Sequence, residues 1–240
     1  MSKQIVLVTG VTRETGLGLG LVKGLVSPDR IVYATGRNLD DVTALVEGMP
    51  GVHPLALDIT DRESIEAALA TIGKSHGYLD VLINNAAAFF DAGNTVVDSD
   101  LDMVRSAFDT NTLGAWRLTV AALPLLREST AGATVTNVTS GAGSFHDPMF
   151  GMSSHPQHVP VYAVTKAAAN AMTVKLAKEL KDTGIHVNAV CPGWVATYPG
   201  TREMGATPVA DAVPDVLWVA DYAANPATGG FFRNRKPLDW

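Results

Sequence analysis

The stretch QIVLVTGVTRETGLGLGLVKGL, residues 4–25, passes from a short apolar run through a glycine-rich turn into an amphipathic segment. Ile5 to Val8 is continuously apolar, the pattern of a strand buried on both faces of a parallel sheet. Leu19, Leu21, Val22 and Leu25 recur at helical spacing, and Pro28 closes the helix they predict. Between them lie Thr9-Gly10 and Gly16-Leu17-Gly18. A turn at that position aims the free N–H groups of a helix N-terminus at a pyrophosphate, and glycine lets the backbone approach it closely. The same glycines would also serve a tight strand–helix turn that binds nothing.

The alternation continues to the end of the chain. Further strands are expected at Ile31 to Thr35, His53 to Leu57, Val81 to Ile83, Thr134 to Thr139 and His186 to Val190, with a short seventh at Gly230 to Phe232. Helical patterns fill Asp40 to Glu47, 61–75, roughly 98–128 and 161–181. Strands alternating with helices in this way predict an α/β fold, a doubly wound parallel sheet of about seven strands flanked by helices. At 240 residues this is a single domain. The least regular stretches are 141–160 and 193–210, which predicts an inserted loop segment and a second segment on the substrate side.

Composition narrows the class of function. With 47% apolar residues and a net charge of −6, the chain reads as an ordinary globular protein, and it lacks the basic patch of a nucleic-acid binder. No apolar run reaches the roughly 18 residues of a membrane span. MSKQIVLVTG enters a strand directly, without a signal-peptide pattern. The single cysteine, Cys191, excludes an internal disulfide and suits a reducing compartment. The expected location is the cytoplasm.

Tyr162 and Lys166 lie four residues apart in VYAVTKAAANAM, so a helix puts both on one face. An ammonium beside a phenol favours the phenolate and lowers its pKa from the usual value near 10. Such a pair can exchange a proton with an alcohol or carbonyl oxygen. At the end of the second strand, Ala34-Thr35-Gly36-Arg37 lacks the carboxylate that binds the ribose hydroxyls of NAD. Arg37 is placed instead to meet a 2′-phosphate, which selects NADP, and Arg13 in the glycine loop adds a second positive charge beside Glu14. Arg37 could equally be a surface arginine. Asp58, ending the third strand, suits either the adenine edge or the N-cap of the helix from 61.

Thr9-Gly10…Gly16-x-Gly18, Asn84-Asn85-Ala86, Asn111, Ser140, Tyr162-x-x-x-Lys166 and Pro192-Gly193 together resemble the short-chain dehydrogenase/reductase family, over essentially the whole chain. Within it, GLGLGLVKGL, PGWVAT and GGFFRNRKPLDW look like the C-factor/sniffer-type carbonyl reductases. The resemblance implies a Rossmann fold, an NADP(H) cofactor and a small-molecule carbonyl or alcohol substrate. It implies Tyr162 as general acid/base and Lys166 as the group that lowers its pKa and holds the nicotinamide ribose. It further implies Ser140 orienting the substrate oxygen and Asn111 supporting water behind Lys166. The cofactor would be held by Gly10, Thr12, Arg13, Gly16, Leu17, Gly18, Arg37, Asp58 and Ile59. Asn85 and Ala86, with Asn84, would line the cleft, and Pro192, Gly193, Val195 and Thr197 would meet the nicotinamide end. A homodimer or homotetramer is implied, with the small residues Ala167 to Ala169 and Ala171 packing on a second copy or inside the chain.

Two spacings depart from the family. Five residues, Val11 to Thr15, separate the first two glycines, more than is usual. Ser140 and Tyr162 stand 22 apart, which inserts SFHDPMFGMSSHPQHVP between two catalytic residues. Phe145, Met149, Phe150 and Met152, with Trp194, are expected to wall an apolar substrate pocket, unless the insertion packs only on itself. His146, His155 and His158 lack the further ligands a metal needs, so no metal site is expected, although one of them could contact substrate. Leu113, Trp116, Leu118 and Val120 read as core or subunit surface, as do Phe231, Phe232 and Trp240. The expected activity is NADPH-dependent carbonyl reduction or alcohol oxidation. The alternatives are an NADP-binding sensor on the same fold and a halohydrin dehalogenase-like lyase, and Gly10, Gly16, Gly18 and Lys166 argue against the lyase.

Overall fold

The computed structural model describes residues 3–89, 95–153 and 159–240. Its centre is an eight-stranded sheet in the order β3-β2-β1-β4-β5-β6-β7-β8. The strands are β1 (Gln4–Val8), β2 (Arg30–Gly36), β3 (Val52–Ala56), β4 (Val81–Asn84), β5 (Ala133–Val138), β6 (Ile185–Val190), β7 (Phe231–Arg233) and β8 (Lys236–Pro237). All neighbours are parallel except the β7–β8 pair, which is antiparallel. The order reverses direction between β1 and β4, and the crevice outside the carboxyl ends of strands at such a switch point is where α/β sheets bind ligands.

Both faces are covered, which is why Ile5–Val8 and Val81–Ile83 read as unbroken apolar runs. Leu7, Leu82 and Val135 pack against α3 (Arg62–His76), α5 (Ala115–Arg127) and α6 (Pro160–Glu179). Val6, Val8 and Ile83 pack on the other face against α1 (Leu17–Leu25) and α7 (Val209–Ala220), with α2 (Leu39–Val46) beside them. α7 is not anticipated from the sequence. The helical stretch expected at 98–128 is resolved into α4 (Leu101–Phe108), a π-turn at Asp109–Gly114 and α5.

Several apolar residues with two possible roles now have definite places. Leu118, Phe231 and Phe232 are core residues, and Trp240 stacks on Phe231 with ring centroids 5.2 Å apart. Leu113, Trp116 and Val120 are exposed and line a groove with Arg62 and Glu66. Ala169 is buried inside the chain. Among the described residues no helix is long and apolar enough to cross a membrane.

Candidate active site

A cleft of about 1130 Å³ opens at the carboxyl ends of β1, β2, β4, β5 and β6. Its floor begins at the glycine turn. Gly10 has φ +77°, and a Cβ there would meet the backbone of Ala86 at 2.7 Å, so only glycine fits between β1 and β4. Gly18 approaches the Gly10 carbonyl equally closely. Thr9 holds this junction: its hydroxyl accepts from the N–H groups of Asn85 and Ala86, each at 3.0 Å. The Asn85 side chain returns a bond to the Thr9 carbonyl at 2.8 Å. The result is a close-packed cradle open to solvent, with the N-terminus of α1 facing it.

The longer glycine loop is fixed at both sides. The Val11 N–H donates to the Thr35 carbonyl at 2.8 Å, tying the loop to β2. Across the mouth of the cleft, the Thr15 hydroxyl donates to the Thr197 carbonyl at 3.1 Å, and the Arg13 guanidinium lies 4.1 Å from the Tyr198 ring centroid. Arg37 follows β2 and lines the cleft, and among the described residues no carboxylate pairs with it. Asp58 also lines the cleft, where its carboxylate accepts from both the N–H and the hydroxyl of Thr60 at 2.9 and 2.7 Å. The helix cap considered for Asp58 is made by Asp61, which accepts from the Glu63 N–H at 3.0 Å.

The other end of the cleft holds the candidate proton-transfer groups. Ser140 follows β5, and its hydroxyl accepts from the Ala142 N–H at 3.1 Å. Tyr162 and Lys166 lie on the first turns of α6 and line the same cleft as Ser140. The Lys166 Nζ donates to the Val138 carbonyl at 2.9 Å and stands 5.5 Å from the Tyr162 ring centroid. Burial pushes the Lys166 ammonium down to about 8, with the neighbouring Cys191 opposing part of that shift.

Asn111 sits in the π-turn, where the extra residue per turn points its side chain inward. It is buried and does not line the cleft directly. Its Oδ1 accepts from the Ala88 N–H at 2.7 Å, and its Nδ2 donates to the Ala88 carbonyl and to the Thr165 hydroxyl at 2.9 and 3.1 Å. It therefore braces the residue before Lys166 against the segment after β4. Asn84 is a correction. Its side chain points away from the cleft, donating to Thr119 and Asn137 at 3.0 and 2.8 Å, and Asn137 continues the chain to Thr173.

Apart from Asn84, the cofactor residues expected from the sequence line this one cleft: Gly10, Thr12, Arg13, Gly16, Leu17, Gly18, Arg37, Asp58, Ile59, Asn85, Ala86, Pro192, Gly193, Val195 and Thr197, with Tyr162 and Lys166. Of the expected pocket-wall residues, Phe150 and Trp194 line it, whereas Phe145 and Met149 are more than half exposed and do not. His146 is exposed and near the Trp240 carbonyl, while His155 and His158 lie outside the described residues. Phe89 was not anticipated. It lines the cleft and meets the Tyr162 ring edge-on, centroids 5.0 Å apart. The only sequence signal for it is its place just beyond the end of β4.

A doubly wound sheet with a glycine cradle at its switch point, a Ser after β5 and a Tyr and Lys on the first turns of α6 defines a dinucleotide-binding oxidoreductase architecture. The chain belongs to the short-chain dehydrogenase family, whose description, short chain dehydrogenase, it matches over residues 4–204. It is 30% identical over 213 residues to sulfoacetaldehyde reductase 2 of Chromohalobacter salexigens, covering 87% of this chain and 80% of that one. It is also 30% identical to the L-fucose dehydrogenase of Bos taurus, covering 85% and 70%. Among solved structures, the NADPH-bound carbonyl reductase from chicken fatty liver superposes with TM-score 0.83 at 29% identity over the whole of both chains. The carbonyl reductase sniffer of Caenorhabditis elegans superposes with TM-score 0.82 at 32% identity, again over both whole chains.

Proposed function

We propose that this oxidoreductase is an NADP(H)-dependent carbonyl reductase, interconverting a small ketone or aldehyde and its alcohol. The observation that carries the reading is that Ser140, Tyr162 and Lys166 line the same cleft as the glycine cradle, with Arg37 at its far end. The cradle suits a dinucleotide: Gly10 and Gly18 let β1, α1 and the segment after β4 close together at the α1 N-terminus, where both glycines line the cleft. Gly10, Gly16 and Gly18 would face its diphosphate, Arg37 a 2′-phosphate, and Asp58 and Ile59 its adenine. Pro192, Gly193, Val195 and Thr197 would meet the nicotinamide. When bound, that group supplies or accepts a hydride.

The chain's own residues do the rest. Ser140 and Tyr162 donate hydrogen bonds to the substrate oxygen. Tyr162 gives up its proton as that oxygen becomes an alcohol, a general-acid step. Lys166, held by the Val138 carbonyl, keeps positive charge behind the phenol and favours its proton loss. Asn111 holds the hydroxyl of Thr165, the residue before Lys166. The resemblance also supports a homodimer or homotetramer.

The test is a fluorescence titration with NADPH and NADH, followed by turnover of aldehydes and ketones. Tighter binding of NADPH and a Tyr162→Phe variant that binds NADPH normally but turns over at least about 10²-fold more slowly are the expected results. Preference for NADH would overturn the role of Arg37. An undiminished rate in Tyr162→Phe would overturn the mechanism.

A further inference from the structure

We infer that Arg233 is the positioning residue of the substrate end of the cleft, holding Phe150 as a wall that selects among carbonyl substrates. The inference rests on the reductase reading for what that wall selects. The wall's construction rests on geometry alone.

Arg233 ends β7, and its side chain is only 12% exposed. Its guanidinium grips the Asp147 carboxylate in a two-pronged pair, Nη1 to Oδ1 at 3.1 Å and Nη2 to Oδ2. The Asp147 side chain is fully buried. A charge so enclosed is costly unless paired, and the Arg233 contact holds the Asp147 carboxyl below the usual carboxylate range against the opposing effect of burial. Asp147 in turn organises the insertion. Its Oδ1 accepts from the Met149 N–H at 2.9 Å, its carboxylate also takes a bond from the Phe150 N–H, and its carbonyl accepts from the Gly151 N–H at 2.9 Å. The tight turn so formed presents Phe150 to the cleft, and the Arg233 guanidinium stacks 5.0 Å from that ring's centroid.

The same guanidinium touches both neighbouring walls. Its Nε and Nη2 donate to the Cys191 sulfur at 3.4 and 3.3 Å, directly before Pro192 and Gly193. The ion pair also sits over Gly141, next to Ser140, so closely that a Cβ there would overlap it. One side chain thus ties the 147–151 turn to the Ser140 turn and to the start of the 192–195 segment. Arg233 itself does not line the cleft, so it acts through what it holds.

The test compares full-length wild type with Arg233→Lys and Phe150→Ala. Lysine keeps the charge and loses the fork and the planar stack, which limits the risk of misfolding. The first readout is hydrogen exchange. In Arg233→Lys, the amides of Met149, Phe150 and Gly151 should exchange at least tenfold faster, with those of β5 and β6 unchanged. Unchanged exchange at 149–151, or faster exchange across the whole sheet, overturns the positioning role. The second readout is the ratio of kcat/KM for an aromatic ketone over that for a short aliphatic aldehyde. It should fall at least tenfold in both variants through KM. An unmoved ratio, or a loss in kcat alone, overturns the selectivity. A wild type inert toward every carbonyl defeats the reductase reading, while the exchange readout still decides whether Arg233 anchors the wall.

Discussion

Lys166 is 3% exposed, yet it carries an ionisable amine, the one the proposed mechanism sets behind Tyr162. A lysine in water holds its proton to above pH 10. Here the protein interior disfavours the ammonium and brings the value down to about 8. A lowered lysine loses its charge as pH rises through that value, so carbonyl reduction should be flat below pH 8 and decline above it. The decline should be visible in kcat/KM, which reports the free enzyme. A Lys166→Arg variant, which cannot deprotonate, should lose that limb whatever its absolute rate. A limb that stays in place would assign it to another group. That Tyr162, Lys166 and Ser140 would share one cleft was legible because the motif is tied to residue type and spacing. The pair Asp58 and Asp61 was not, because two carboxylates three residues apart suit a helix cap equally well and only hydrogen-bond geometry separates them. Asn84 ends β4 and Asn85 lies just beyond it, so their side chains part, Asn84 to Thr119 and Asn137 and Asn85 to Thr9; reading both into the cleft overlooked where the strand stops.

At the scale of elements, the long glycine loop has a structural use. Its extra residues reach the segment after β6, through Thr15 to Thr197 and Arg13 to Tyr198, and bridge the mouth of the cleft. This differs from using Arg13 to read a 2′-phosphate, and the two roles predict different kinetics. A cation–π contact of this kind is worth about 0.5–1 kcal/mol, or about a two- to fivefold change in a rate constant. If the bridge retains the dinucleotide, Arg13→Ala and Tyr198→Leu should both speed dissociation of NADPH and NADH by that factor, read by stopped-flow fluorescence. Faster loss of NADPH alone, in Arg13→Ala alone, would return Arg13 to the phosphate. The bridge could not be read from the sequence, since its partners are 182 residues apart. Likewise the insertion was visible as an interval too long, but that Phe150 faces the cleft while Phe145 and Met149 face solvent depends on a turn built around Asp147 and a partner 86 residues away.

Across the whole molecule, the parallel sheet was legible because strand-like apolar runs alternate with helical patterns, whereas the order of its strands and the short β8 were not. Nor was the helix that completes one face of the sheet. VADAVPDVLWVA is apolar around most of its circumference and carries Pro214 in its middle, which obscures a helical period. Its place is nevertheless written in α1, as glycines. A Cβ at Gly20 would run into Val209 and Val213 of α7, so the two helices meet backbone to side chain with no room between them. Gly73 in α3 sits on the opposite face, where a Cβ would meet only the flexible end of Leu125 at 3.3 Å. Replacing glycine by alanine inside a helix gains about 1 kcal/mol from backbone propensity, and overpacking costs about 1–3 kcal/mol. The second effect should win at Gly20 and the first at Gly73. Gly20→Ala should lower Tm, by about 2–4 °C per kcal/mol lost in a chain of this size, while Gly73→Ala should leave Tm unchanged or raise it. Because α1 starts at the glycine cradle and α7 starts just after the segment that bridges to it, Gly20→Ala should also weaken dinucleotide binding, and Gly73→Ala should not. Equal behaviour of the two variants in calorimetry would mean that α7 is not seated on α1 in this way, and with it that the two sides of the cleft are aligned by something other than this contact.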